Sequence, residues 1–241
     1  MSKISPLAFI DPEAKIGENC EIGPFCFIDK NVEIGDNNVL MNSVSVLYGA
    51  RIGNGNVIFP GAVISAVPQD LKFRGEETTA EVGDNNKIRE NVTINRGTAA
   101  KGKTCVGSGN LLMESVHVAH DAFVGNDCII GNGTKLAGEI IIDDHAIISA
   151  NVLMHQFCRV GGYTMVGGGT RFSQDIPPYT ICAREPVAYC GLNLVGLRRR
   201  GFSNELIENI HNTYRIIYQG GVPLNLSLIH ISEPTRLRCI S

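Results

Sequence analysis

Two histidines, His117 and His120, lie in the stretch MESVHVAHDAFVG, and the second is followed at once by Asp121. An imidazole beside a carboxylate can take the proton from an alcohol that is barely ionised at neutral pH. A free imidazole titrates at about pH 6.5, and a neighbouring carboxylate orients the ring and stabilises the imidazolium. Gly138 comes 18 residues after His120, and Gln156 comes 18 after that, next to His155. If 18 residues make one turn of a coiled chain, these residues stack along one outer edge at about 4.8 Å per turn. A glycine on that edge lets a backbone N–H approach a ligand closely, which suits the oxyanion of an acyl-transfer intermediate. Two other readings stay open on the residues alone. Two histidines and a carboxylate could hold zinc, although no third histidine stands at a suitable spacing, and both rings could simply be solvated.

The coil itself is written as a six-residue repeat. Counted in sixes from Ile4 to Ile64, every slot is aliphatic; the pattern resumes at Val82, Ile88 and Ile94, then runs from Val106 to Phe172. Four residues after the slot the side chain is small or medium, as at Ala8, Cys20, Cys26, Ala122, Cys128 and Cys158. Neither a helix nor a simple alternation explains a strict six. A triangular prism does: three short strands per coil, the slot pointing inward, the small residue near a corner, and Gly, Asn or Asp in the turns. His120, two places after the inward Val118, then falls outside the prism. The chain has eight cysteines but no CxxC pair, and those in the small slot read as buried packing thiols.

Two stretches interrupt the repeat, PQDLKFRGEETTA at about 68–80 and AAKGKT at about 99–104. A regular solenoid has no packing reason to eject a loop. The first, longer and more charged, reads as a binding element, and the second as a tolerated surface insertion. The prism is expected over 1–178, and a connecting segment with the start of a helical region over 179–221. In that region Ser203 is the expected N-cap, with Glu205 in the first turn. The apolar face runs from Leu206 and Ile207 through Ile210, Tyr214, Ile217 and Tyr218, and Gly220 and Gly221 are the stop. The last stretch, 222–241, has no amphipathic period and reads as an atypical tail, a truncated or misjoined frame, so His230 and Cys239 receive no function. A net charge of −3 argues against general nucleic-acid binding. The first residues lack a secretion-signal pattern, and no apolar run nears the roughly 18 residues of a membrane span. A cytoplasmic protein is expected.

Seven segments occur together and in order: QDLK (69–72), IRENVTINRGT (88–98), HVAHD (117–121), LAG (136–138), HQF (155–157), QDIPPY (174–179) and GLRRRGFS (196–203). This set resembles the UDP-N-acetylglucosamine O-acyltransferases that begin lipid A synthesis in Gram-negative bacteria, within the hexapeptide-repeat acyltransferases. The resemblance covers about 4–221. It implies a left-handed parallel β-helix and a cytoplasmic homotrimer of prisms packed side by side. The implied reaction moves a 3-hydroxyacyl chain from acyl carrier protein to the sugar 3-hydroxyl. No cofactor or metal is implied beyond the phosphopantetheine of the carrier.

By position the resemblance makes His120 the general base, Asp121 its partner and Gly138 the oxyanion donor. His117, His155 and Gln156 would line the substrate site, and Asp70 and Lys72 would contact the sugar and acyl chain. Asn193, Arg199 and Arg200 would hold the nucleotide, and Gly168 would leave room for a longer acyl chain. The run Arg198–Arg200 could equally dock the acidic carrier or lie solvated. Three departures stand out. Glu139 follows Gly138 where many members have His, so that substrate contact must differ; Val195 replaces an often acidic residue; and the usual further helices after 221 are not recognisable, which is expected to expose apolar surface at Tyr214 and Ile217. Related N-acyltransferases carry an extra N-terminal uridine-binding domain, for which a repeat starting at Ile4 is expected to leave no room. A 3-amino UDP-sugar acceptor would use the same residues. A γ-type zinc carbonic anhydrase and a non-enzymatic solenoid are the remaining alternatives.

Overall fold

Most six-residue units become a strand of only two residues that ends on the slot, as Phe27–Ile28 does. In Glu21–Ile22, Phe27–Ile28 and Glu33–Ile34 the slot residue is buried and its predecessor exposed. This is the two-faced alternation of a strand in its shortest form. The structure, a computed structural model that describes residues 1–219, closes one coil every three strands. Lys3 pairs in parallel with Glu21, and Ile4 with Ile22. Three sheets of 11, 9 and 8 strands result, wound as a left-handed parallel β-helix. The core is a column of slot residues, with Ile28, Ile58, Ile88, Leu112 and Ile130 at 0% exposure.

The corners follow an equally strict rule. The third residue after the slot takes a left-handed backbone, with φ between +54° and +59° at Asn19, Asn37, Asn85, Asp121 and Glu139. Asn and Asp carry that conformation at least cost among residues with a side chain. The fourth residue is buried in the bend. Cys26, Cys128 and Cys158 sit there, and burial pushes their thiols up, that of Cys128 to about 11.

One column of this fourth position is polar, which the small-residue pattern does not anticipate. Asn38, Asn56, Asn86 and Asn110 are buried one above another. The Asn56 amide donates to Asn38 Oδ1 at 2.8 Å, Asn86 to Asn56 at 2.9 Å, and Asn110 to Asn86 at 2.8 Å. The Cys128 amide then donates to Asn110 Oδ1 at 2.7 Å. Each side chain satisfies the next coil's backbone, so the buried amides are fully employed and the ladder penalises any slip of one coil against the next.

The ladder passes both interruptions without breaking. Partners normally lie 18 residues apart, but 30 across the first interruption and 24 across the second. Both excursions leave between the 9-stranded and the 8-stranded sheet, after Val63–Ala66 and after Thr93–Asn95. The turns after His117–Val118, Lys135–Leu136 and Leu153–Met154 occupy the same edge. The loops and the candidate histidine therefore share one edge of the prism.

Beyond Phe172 the strands continue past the boundary expected at 178. Thr180–Ala183 extends the 11-stranded sheet by pairing Met165 with Ile181, and Ala188–Leu192 follows it. A first compact unit spans 1–191, and a second begins at Leu192. The second holds α1 (Leu194–Arg199) and α2 (Asn204–Gln219). Ser203 caps α2 by accepting the Leu206 amide at 3.2 Å, with Glu205 in the first turn. Tyr214 is buried rather than exposed, as is Ile207, whereas Leu206 and Tyr218 of the expected apolar face lie in solvent. The stop at Gly220 and Gly221, the tail 222–241, and His230 and Cys239 lie outside the described residues. Among the described residues no helix is long and apolar enough to cross a membrane.

Candidate active site

The corner rule decides where the reactive groups point. Asp121 occupies the left-handed position, and its carboxylate is wholly buried against the turn. Its Oδ2 lies 2.8 Å from His120 Nδ1. The Thr98 amide donates to Oδ1 at 2.9 Å and the Thr98 hydroxyl to Oδ2 at 2.6 Å. The Asp121 amide donates in turn to Thr104 Oγ1 at 2.8 Å. Burial alone would raise the Asp121 carboxyl, but the Thr98 hydroxyl, the His120 ring and the Thr98 amide outweigh it and hold the group below the ordinary carboxylate range. An ionised Asp121 accepts the Nδ1 proton, which leaves the Nε2 lone pair of His120 directed away from the carboxylate.

Nε2 lies over Gly138. A Cβ built on that glycine would stand 2.6 Å from both Nε2 and Cε1 of His120, so any side chain would displace the ring. Among the described residues the Gly138 N–H has no hydrogen-bond partner, although the residue is buried. His120 and Gly138 both line one cavity of about 360 Å³, to which His117, Lys135, Gln156 and Gln69 also contribute. His117 is fixed by a 2.7 Å contact between its Nδ1 and Thr93 Oγ1. Burial first, then the charges of Lys135 and His120, push its imidazole below the ordinary value. A neutral His117 beside a potential base is what the geometry favours.

Of the residues singled out in the sequence, the structure brings His117, His120, Gly138 and Gln156 to this cavity, with Asp121 directly behind the ring. His155 opens instead into a neighbouring recess of about 430 Å³ with Arg171 and Ser173; the two cavities share Leu153 and Met154. Asp70 is engaged within its loop, accepting the Lys72 amide at 2.9 Å, and the Lys72 side chain is exposed. Gln69 is the loop residue that reaches the cavity. Glu139 does not line it; its carboxylate lies 3.8 Å from Lys101 Nζ on the second excursion. Gly168 is exposed at a different corner, where an added Cβ would meet the Ala150 carbonyl at 3.3 Å. Asn193 caps α1, accepting the Gly196 amide at 3.1 Å, and Arg199 and Arg200 are exposed at the end of that helix.

Sequence reasoning missed Thr98 and Thr104, which hold Asp121, and Thr93, which holds His117. Thr93 opens the strand Thr93–Asn95, Thr104 lies within Lys103–Val106, and Thr98 lies between those strands, so only the fold brings Thr98 and Thr104 to Asp121. Among the described residues no cluster of three or more His, Cys, Asp or Glu side chains is placed to hold a metal ion.

Comparison with known proteins gives a consistent result. A family described as UDP N-acetylglucosamine O-acyltransferase, domain 2, matches residues 175–238, which reaches into the tail that the sequence pattern sets apart. A UDP-N-acetylglucosamine acyltransferase from Bacteroides fragilis is 72% identical, with a TM-score of 0.93 over 95% of this chain and 90% of that one. The Francisella novicida enzyme is 40% identical over 95% of this chain and 85% of its own, again at 0.93. The Arabidopsis enzyme is 31% identical over 97% and 90%, at 0.85.

Proposed function

The chain belongs to the UDP-N-acetylglucosamine O-acyltransferase family and is an acyltransferase, and from that premise we propose that it moves a 3-hydroxyacyl chain from acyl carrier protein to the 3-hydroxyl of UDP-N-acetylglucosamine, the first step of lipid A synthesis. His120 Nε2 takes the hydroxyl proton while Asp121 holds Nδ1–H and stabilises the imidazolium. The sugar oxygen attacks the thioester carbonyl, and the Gly138 N–H receives the oxyanion. Collapse of the tetrahedral intermediate breaks the C–S bond, and the imidazolium returns its proton to the departing thiolate. The chemistry needs no metal or redox group, because the one proton moved passes from the hydroxyl to the thiolate through a single ring.

The observation that carries this reading is the stack of His120 Nε2 on Gly138, with the Asp121 carboxylate buried at Nδ1. The 360 Å³ cavity is small for a nucleotide sugar with an acyl chain, which supports a site completed by a neighbouring prism. Leu153, Phe123 and Met165, exposed on the outer faces, support the same side-by-side homotrimer. Asp70, Lys72, His155, Gly168, Asn193, Arg199 and Arg200 are assigned to substrate on the strength of the sequence resemblance.

The test is an acyl-transfer assay with UDP-N-acetylglucosamine, its 3-amino analogue and 3-hydroxyacyl carrier proteins of several chain lengths. Wild-type protein should acylate the 3-hydroxyl sugar, and His120→Ala should lose at least about 10²-fold in kcat. A His120→Ala enzyme that keeps its rate would remove the base, and wild-type protein inert toward both sugars would remove the function.

A further inference from the structure

The arginine beneath the first excursion has no part in the chemistry above. Arg96 is only 9% exposed, and its Nε has no hydrogen-bond partner among the described residues. The charge is met by two aromatic faces, with the guanidinium carbon 5.4 Å from the Tyr48 ring centre and 5.3 Å from that of Phe73. Nη1 donates to the Tyr48 carbonyl at 3.4 Å, and the Ser65 hydroxyl shares that carbonyl at 2.7 Å. Tyr48 belongs to the prism, whereas Phe73 lies in the middle of the excursion. The guanidinium is therefore sandwiched between scaffold and loop.

The polar contacts of the excursion are concentrated at its root. The Arg96 amide donates to the Ala66 carbonyl at 2.9 Å, and Asn95 Nδ2 donates to the Val67 carbonyl at 3.1 Å. Thr78 Oγ1 and Asn95 Oδ1, at the same root, are buried without a partner among the described residues. Further out, the bonds are internal: Phe73 N to the Asp70 carbonyl at 3.0 Å and Lys72 N to Asp70 Oδ1 at 2.9 Å. These tie residues 70–73 into one turn adjoining Gln69, so whatever holds Phe73 also sets Gln69 in the His120 cavity.

We propose that Arg96 is a positioning residue that, through its sandwich between Tyr48 and Phe73, holds the first excursion over the substrate cavity and so places Gln69 on the acceptor sugar. The proposal rests on the function assigned above for its kinetic consequence but not for the clamp itself. A desolvated guanidinium beside two rings suits this task, because cation–π attraction to each ring holds the loop without a carboxylate that would compete for substrate. A lysine keeps the charge but cannot stack in the same way.

Two measurements separate the clamp from the activity. Lys72 and Arg74 are exposed in the loop and offer trypsin two cleavage sites. In Phe73→Leu and Arg96→Lys, cleavage there should be faster by about tenfold, because the loop opens more often while the prism stays folded. In acyl-transfer assays the same variants should raise KM for UDP-N-acetylglucosamine by about fivefold with kcat little changed. Adding Gln69→Ala to Phe73→Leu should cost no further, since both changes remove the same contact. Phe73→Leu guards against an Arg96 variant that fails to fold. Unchanged cleavage in Phe73→Leu would overturn the clamp. Faster cleavage with KM unaltered, or with Gln69→Ala fully additive, would overturn its role in placing Gln69. A wild-type protein with no transfer activity would count against the function while leaving the cleavage result to decide the clamp.

Discussion

The two excursions leave the same edge of the prism, yet they are attached to the site in opposite ways. The longer one is held by an aromatic–guanidinium sandwich and delivers a single polar side chain, Gln69, to the cavity. The shorter one does not line the cavity; Thr98, at its foot, grips the carboxylate behind the base through both of its donors. It is also the more rigidly built. The Gly97 backbone passes so close to Lys103 that an added Cβ would stand 2.3 Å from the Lys103 nitrogen, and the Gly102 amide closes back on the Thr98 carbonyl at 2.7 Å. Composition ranks the charged loop above the short one as the working element. On the proposed reading the two loops do different work, binding for the first and orientation for the second.

The contrast is sharpest in kcat. Asp121→Asn should lower kcat by at least about 10²-fold with KM for the sugar nearly unchanged, because an amide neither stabilises the imidazolium nor selects the tautomer with Nε2 free. Steady-state kinetics on the folded variant checks it. A fall carried mainly by KM would place Asp121 in binding and erase the distinction between the loops.

One step further out, Thr98→Val removes the hydroxyl that reaches Asp121 Oδ2 at 2.6 Å but keeps the amide that reaches Oδ1. A buried carboxylate that loses one donor should cost about 1–3 kcal/mol of stability, and kcat should drop about tenfold. Thr98→Ser, which retains the hydroxyl, should restore most of both. Urea unfolding beside kinetics tests the pair, and equal losses in Ser and Val variants would show that the methyl, not the hydroxyl, matters.

The same bond sets a pH dependence. Asp121 is held below the ordinary carboxylate range in the folded state. Its contribution to stability is therefore complete above the unfolded value of about 3.9 and is lost as pH falls through the folded value. His117 is also lowered, so its contribution begins to fade as pH drops below the unfolded imidazole value of about 6.5. Thr98→Val moves the Asp121 value back up and should shift the midpoint of acid unfolding to higher pH. A midpoint that stays in place would mean Thr98 does not stabilise the ionised form.

Why the sequence showed one half of this and not the other follows from what repeats. The inward slot and the left-handed corner recur every six residues, so the prism, the exterior place of His120 and its stacking on Gly138 can be counted from the residues alone. The ladder Asn38–Asn56–Asn86–Asn110 could not be, because each amide is justified only by a neighbour 18, 30 or 24 residues away. The last strands lie outside the six-residue count for a related reason. Ile181 pairs with Met165 two residues short of a full coil, so counting in sixes runs out while backbone pairing does not. Thr98 escaped because its work depends on the insertion after it folding back, which no local pattern records. Glu139 has a substrate role only through the resemblance, and its partner Lys101, 3.8 Å away on the second excursion, could not be counted from the repeat.

The smallest effect belongs to the longer loop. Gln69 lines the cavity from the start of its loop, three residues beyond the strand Val63–Ala66, and shares it with Gln156, a second amide on the prism itself. Loss of one neutral hydrogen bond in a partly solvated cavity is worth about 1 kcal/mol. Gln69→Ala should therefore raise KM for UDP-N-acetylglucosamine about fivefold and leave kcat within about twofold of wild type, since the amide meets ground state and transition state alike. Isothermal titration with the sugar nucleotide alone should show the same weakening, because no acyl donor is involved. If Gln69→Ala instead lowered kcat as Thr98→Val does, the first excursion would be acting on the base as well, and binding and orientation would no longer divide between the two loops.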